Sequence, residues 1–190
     1  MVQFTLKHKV LKVLIESKKT EYSIKQLSEI LKVDYKNAYV AVNQLIESIK
    51  IEKKANSSFV SFKPILTIDT IIVEAKRKRA IESKLKLILN DIESQENPFA
   101  IIILFGSYAK GAQTKNSDID ICLIHNNEKE IQTLKNKFQI HPKVEIHPFH
   151  YSEFIRMLQQ KTFNIGHEIC KMGIPLQNIE GYYKILKHEY

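Results

Sequence analysis

Two aspartates flanking one isoleucine, Asp118-Ile119-Asp120, follow the pair Gly106-Ser107 after ten intervening residues, within the run ILFGSYAKGAQTKNSDIDICLI at 103–124. Asp118, Asp120 and Cys122 alternate with Ile119, Ile121 and Leu123, the period of a strand, so both carboxylates are expected on one sheet face. Side chains at i and i+2 on a strand lie only about 6 to 7 Å apart and repel when both are ionised and unpaired. A hard divalent cation removes that penalty. Mg²⁺ takes oxygen ligands and is commonly held by one or two carboxylates plus substrate phosphates. Gly106 and Ser107 are small enough to let the main chain approach a phosphate, and NH groups in such a turn form an anion-binding nest. Lys110 sits in the same loop, placed to neutralise phosphate charge, with a solvated loop lysine as its plain alternative. Tyr108 is expected to pack beneath the turn rather than to stack on a base. Solvation alone would account for two acids at a strand start, but the Gly-Ser pair and the apolar runs on both sides favour a metal.

Further along, Lys143-Val144-Glu145-Ile146-His147-Pro148-Phe149 alternates like another strand and makes Glu145 the best third acid by position. A Lys143/Glu145 pair on an exposed strand face is the alternative without function. A zinc site of His147, His150 and Glu145 is disfavoured, because no cysteine or helical histidine pair joins them and the acids prefer a harder ion.

At Gly106-Ser107 and Asp118-Ile119-Asp120-Ile121, with ten residues between, the chain resembles the DNA polymerase beta nucleotidyltransferase superfamily. The wording GSYAKG is similar to the minimal nucleotidyltransferases, small prokaryotic domains that act as antitoxin components or are fused to other modules. The resemblance covers roughly residues 97–190. It implies that Gly106 and Ser107 hold the triphosphate, and that Asp118 and Asp120 bind two divalent ions, Mg²⁺ or Mn²⁺. A third acid on a later strand completes the site. Glu145 in that role would help hold a metal and draw a proton from the attacking hydroxyl. Many relatives carry aspartate there, one methylene shorter. The resemblance further implies transfer of a nucleoside monophosphate, AMP from ATP or the equivalent from another nucleoside triphosphate, to a protein or nucleic-acid hydroxyl. Two other readings stay open: a regulator whose nucleotidyltransferase-like domain senses a nucleotide without turnover, and the antitoxin of a toxin–antitoxin pair acting on a partner toxin.

The elements that must position these residues follow from the hydrophobic pattern. Ala100 to Phe105 is continuously apolar, as expected of a strand buried on both faces. After the Glu145 strand, Ser152 reads as the cap of a helix running past Phe163, with Ile165 to Lys171 continuing it. Gly173 to Leu176 reads as a short extended piece, and Tyr182 to Leu186 as a closing helical turn. Upstream, Thr67 to about Ile92 is helical, and Asn97-Pro98 ends that helix. Its run Lys76-Arg77-Lys78-Arg79 reads as a solvated face, with an extended nucleic-acid surface as the lesser alternative.

Residues 1–66 hold 12 basic and 6 acidic residues, whereas 67–190 hold 17 and 15, so the basic excess is N-terminal. Three helices are expected there: about Thr5 to Glu16, Ser23 to Leu31, and Asp34 to Ile49, with Ser23 and Asp34 as N-caps. Ile49 to Lys54 and Phe59 to Phe62 alternate as strands around a turn at Asn56-Ser57-Ser58. This order resembles a winged helix-turn-helix domain, which implies double-stranded DNA as partner, the third helix in the major groove, and homodimerisation on palindromic sites. The expected DNA contacts are Lys36, Asn37 and Asn43, beside Tyr35, Tyr39 and Gln44 on the same helix, and Lys53 and Lys54 in the wing. Val40, Val42, Leu45 and Ile46 are expected inward. A protein-binding role for such a module is the alternative.

The expected fold is therefore α+β in three parts. A winged helix-turn-helix domain occupies 1–66, a linker helix 67–96, and a polymerase beta-like minimal nucleotidyltransferase domain with a small helix-packed mixed sheet 97–190. Apolar runs reach only about six residues where a bilayer span needs roughly 20, so no membrane association and a cytoplasmic location are expected. Cys122 and Cys170 lack metal-ligand spacing and are expected as buried, reduced thiols.

Overall fold

A computed structural model describes residues 3–18, 20–54, 57–95 and 97–189. They divide into two compact units, with the division between Lys76 and Arg77. In the first unit, α1 (Leu6–Glu16) buries Val10, Leu11, Leu14 and Ile15, one amphipathic stripe. The short strand β1 (Tyr22–Ser23) leads into α2 (Ile24–Leu31). A capping box fixes that start: Gln26 N donates to Ser23 Oγ at 3.2 Å, and Ser23 N donates to Gln26 Oε1 at 2.8 Å. Lys32, left-handed at φ 53°, ends α2. After α3 (Tyr35–Asn43), the strands β2 (Ile49–Lys54) and β3 (Ser57–Phe62) pair antiparallel, giving the sheet order β1-β3-β2.

The third helix departs from expectation in length and register. It stops at Asn43, and 44–48 form turns. Ala38, Ala41, Val42 and Leu45 occupy the buried i, i+3, i+4, i+7 positions, so Val40 and Ile46 face solvent. Two alanines define that stripe, and their small side chains hide the pattern from a reading keyed to Val, Leu and Ile. Ser57 and Ser58 lie in β3 rather than in a turn, and Asn56 lies outside the described residues.

The helix α4 (Ile68–Glu93) runs through the division and loses helical geometry at Leu85, φ −124° and ψ 21°. The second unit then reads β4 (Ile101–Leu104), α5 (Gly106–Lys110), β5 (Ile119–Ile124), α6 (Glu128–Gln139), β6 (Val144–Phe149), α7 (Tyr151–Leu158), α8 (Ile165–Met172), β7 (Ile174–Gln177) and α9 (Ile179–Glu189). Its sheet has the order β6-β5-β4-β7, with β5 and β6 parallel and the other pairs antiparallel. The two edge strands are those containing proline, Pro148 and Pro175, where a missing NH is tolerated.

Period-two alternation sorts the central strands. Ile102, Leu104, Ile119, Ile121 and Leu123 pack against Leu85, Ile88, Leu89 and Ile92 of α4 and Ile131, Leu134 and Phe138 of α6. That layer leaves Asp120 and Cys122 pointing to the opposite face. Ile121 is fully buried at its centre, so Ile121→Ala should cost about 2–5 kcal/mol in urea unfolding; a loss well under about 1 kcal/mol would contradict this packing.

In the C-terminal part the expected helix bounds are corrected, whereas the expected extended piece is present. α7 begins after His150, not Ser152, and α8 is a separate helix. α7 ends at Leu158, and Asn164 caps the start of α8, its side chain donating to Met157 O at 2.8 Å and accepting from His167 N at 3.3 Å. The extended piece is a paired strand, β7, and the closing turn is the eleven-residue α9. Among the described residues no helix is long and apolar enough to cross a membrane.

Candidate active site

The turn after β4 and the start of β5 are built on one another. Phe105 N donates to Asp120 O at 3.0 Å, which draws the two strand ends together. Gly106 follows at φ +65°, and a Cβ on it would fall 1.9 Å from Asp120 Oδ2. Only glycine combines that left-handed backbone with so close a carboxylate. Ser107, the second residue of the single-turn α5, has its Oγ buried and without a hydrogen-bond partner among the described residues. At the other end of α5, Lys110 Nζ donates to Glu168 Oε1 of α8 at 2.6 Å.

The parallel register of β5 and β6 supplies the rest: it sets Asp120 opposite Glu145 and Cys122 opposite His147. Ligand atoms of Asp120, Glu145 and His147 all lie within 4.8 Å of one another. His147 Nε2 stands 3.5 Å from Glu145 Oε1 and 3.8 Å from Asp120 Oδ1. An edge-to-face contact with Phe105, centroids 5.1 Å apart, holds the imidazole against the turn. Two carboxylates and one imidazole, whose buried Nε2 makes no hydrogen bond among the described residues, suit a divalent ion by donor chemistry.

Burial raises the Asp120 carboxyl above its usual range; His147 opposes this, while Glu145, Asp118 and Glu168 add to it. Between the ordinary carboxylate pKa and the raised one, the folded chain therefore binds more protons than the unfolded chain. The unfavourable share that Asp120 contributes without metal fades as pH falls through that window. The Tm gap between wild type and Asp120→Asn should accordingly narrow on acidification. A gap that is flat or widens would contradict the shift.

Of the residues expected to act, Gly106, Ser107, Asp120 and Glu145 come together. Asp118 does not join the cluster: it lies exposed just ahead of β5, near enough to act on Asp120 through charge alone. Lys110 is engaged by Glu168. His150, weighed with His147 as a zinc ligand, instead pairs with Glu128 at 3.0 Å. Cys122 and Cys170 are buried and not joined in a disulfide.

Residues 82–162 match the family model described as nucleotidyltransferase domain. This chain carries a nucleotidyltransferase domain. The matched span runs from the second half of α4 to just past α7, and so contains Gly106, Ser107, Asp118, Asp120, Glu145 and His147. No curated protein matches the chain. Of two further neighbours of the candidate site, sequence reasoning weighed His147 only as a disfavoured zinc ligand and missed Glu168. His147 has a legible signal, since period two puts it on the face of Glu145, but its approach to Asp120 depends on a parallel pairing that no local pattern encodes. Glu168 carries no signal at all.

Proposed function

We propose that the nucleotidyltransferase domain transfers a nucleoside monophosphate, AMP from ATP, to a hydroxyl acceptor on a protein or nucleic acid. The observation that carries this reading is the Gly106 turn seated directly on the Asp120 carboxylate, with the buried Ser107 hydroxyl beside it unpartnered among the described residues. Turn NH groups and Ser107 Oγ receive the triphosphate, and Lys110 exchanges Glu168 for phosphate oxygen. Asp120 and Glu145 would hold Mg²⁺ or Mn²⁺, with exposed Asp118 in the loop just ahead of β5. A bound divalent ion supplies charge neutralisation for the attacking and leaving oxygens. Glu145, open to solvent, takes the proton of the acceptor hydroxyl as its oxygen bonds to the α-phosphorus and the bond to pyrophosphate breaks. Incubation with α-labelled ATP and Mg²⁺ or Mn²⁺ should label an acceptor or the protein itself, and Asp118→Ala with Asp120→Ala should abolish the label. Transfer retained in that variant would remove the mechanism.

The position of Asp118 outside the cluster favours one alternative, a site that senses a nucleotide without turnover. ATP binding without label transfer would support that reading. Recovery of a labelled partner protein would instead support the antitoxin reading.

We also infer that the first unit is a winged helix-turn-helix module that binds double-stranded DNA, as a homodimer on palindromic sites. Three helices with a small antiparallel sheet, exposed Lys36, Asn37 and Asn43 on α3, and exposed Lys53 on β2 support this. Lys54 contributes less, because it is engaged by Glu21 and Glu52. Duplex DNA should be retarded in a salt-dependent manner, and Lys36→Ala with Lys53→Ala should lower the slope of log affinity against log salt by about 2. An unchanged slope would move the contact surface elsewhere.

A further inference from the structure

The sequence motif directs attention to Asp118 and Asp120 as a carboxylate pair, yet the group that converges is Asp120, Glu145 and His147. Three features set His147 apart from a histidine that merely fills space. Its Nε2 is shielded from solvent and has no hydrogen-bond partner among the described residues, a state that buried polar atoms rarely keep without a ligand. The separations of Nε2 from Glu145 Oε1 and Asp120 Oδ1 are 3.5 and 3.8 Å. Adjacent ligands on one ion, with bonds of about 2.1–2.2 Å, lie about 3.0–3.6 Å apart, so small side-chain adjustments suffice to close the set. The ring is also fixed by buried Phe105, the residue that precedes the Gly106 turn, so the nitrogen is positioned by the element that positions Asp120.

We propose that His147 Nε2 is a direct metal ligand, forming with Asp120 and Glu145 a one-nitrogen, two-oxygen site that selects a first-row transition ion such as Mn²⁺ over Mg²⁺. The proposal rests on the reading of this cluster as the ion site of the nucleotidyltransferase domain. Its physical basis is ligand softness: carboxylates serve Mg²⁺ and Mn²⁺ alike, whereas imidazole nitrogen adds affinity for transition ions and little for Mg²⁺. The competing role for His147 is as a charge partner to two carboxylates, which needs no metal bond.

Pulsed electron paramagnetic resonance on the Mn²⁺-loaded full chain, without nucleotide, separates the two. Wild type should show nitrogen-14 modulation from a bound imidazole, and His147→Asn should lose it. Titration of the free Mn²⁺ signal, alone and against Mg²⁺, should show Mn²⁺ affinity weakened about tenfold or more in the variant, with Mg²⁺ affinity changed by no more than about twofold. Absence of nitrogen modulation in wild type overturns the proposal, as does a variant that keeps the wild-type Mn²⁺/Mg²⁺ ratio. If His147→Asn fails to fold by circular dichroism, the wild-type spectrum decides alone. Nitrogen coupling without any transfer of labelled AMP would leave His147 as a ligand while removing catalysis; transfer without nitrogen coupling would do the reverse.

Discussion

Asp120→Asn is expected to reduce nucleotidyl transfer by about 10³-fold or more while raising the Tm of the metal-free protein. Both effects have one origin. The Asp120 carboxylate is pressed against the Gly106 turn and partly withdrawn from water, with Glu145 and Asp118 acting on it by like charge. Keeping it ionised without a cation therefore works against folding, and the isosteric amide removes that cost while occupying the same space. The amide also removes the oxygen charge at the centre of the proposed ion site. Activity would be followed with α-labelled ATP and stability by thermal unfolding in chelator. A variant that loses stability without metal would mean that Asp120 is a structural hydrogen-bonding group instead.

Gly106→Ala is the second large effect, and here activity and stability should fall together. The backbone sits at φ +65°, where an L side chain costs about 1–2 kcal/mol, and the new methyl would also meet Asp120 Oδ2 at 1.9 Å and its Cγ at 2.8 Å. The carboxylate must move, and with it the group that faces Glu145 and His147. Transfer should drop by about 10²-fold, the scale on which a displacement of about 1 Å in a reacting group is felt. Gly111→Ala provides the control, because Gly111 has a similar φ of +70° but open space where its Cβ would stand. It should show only the conformational cost, with transfer nearly intact. Equal loss of activity in the two variants would mean that backbone strain, not the contact with Asp120, explains Gly106.

What the sequence reveals and what it hides divide along physical lines. The continuous run ending at Phe105, the Gly106-Ser107 turn and the alternation from Ile119 are local patterns, and β4 and β5 follow them, whereas the expected loop through Lys110 is the short helix α5. Glu145 is likewise found by alternation. The partnership of His147 with Asp120 was not legible, because it arises from parallel β5/β6 register across an intervening helix, α6. That helix carries only Ile131, Leu134 and Phe138 on its inner face, a sparse stripe among charged residues. Asp118 shows the converse error. Its spacing from Asp120 matches strand alternation, but pairing begins one residue later, at Ile119, and leaves it in the loop. In α3 the alanines that define the buried stripe concealed the register, which turned Val40 outward.

The measurement closest to the central claim is a crystal structure of the full chain with Mn²⁺ and α,β-methylene ATP, an analogue that cannot release pyrophosphate. The account predicts anomalous density for the ion bound to Asp120 and Glu145, with triphosphate oxygens on Ser107 Oγ and the NH groups of the Gly106 turn. Nucleotide bound elsewhere, or an ion that leaves Asp120 and Glu145 uncoordinated, would contradict it.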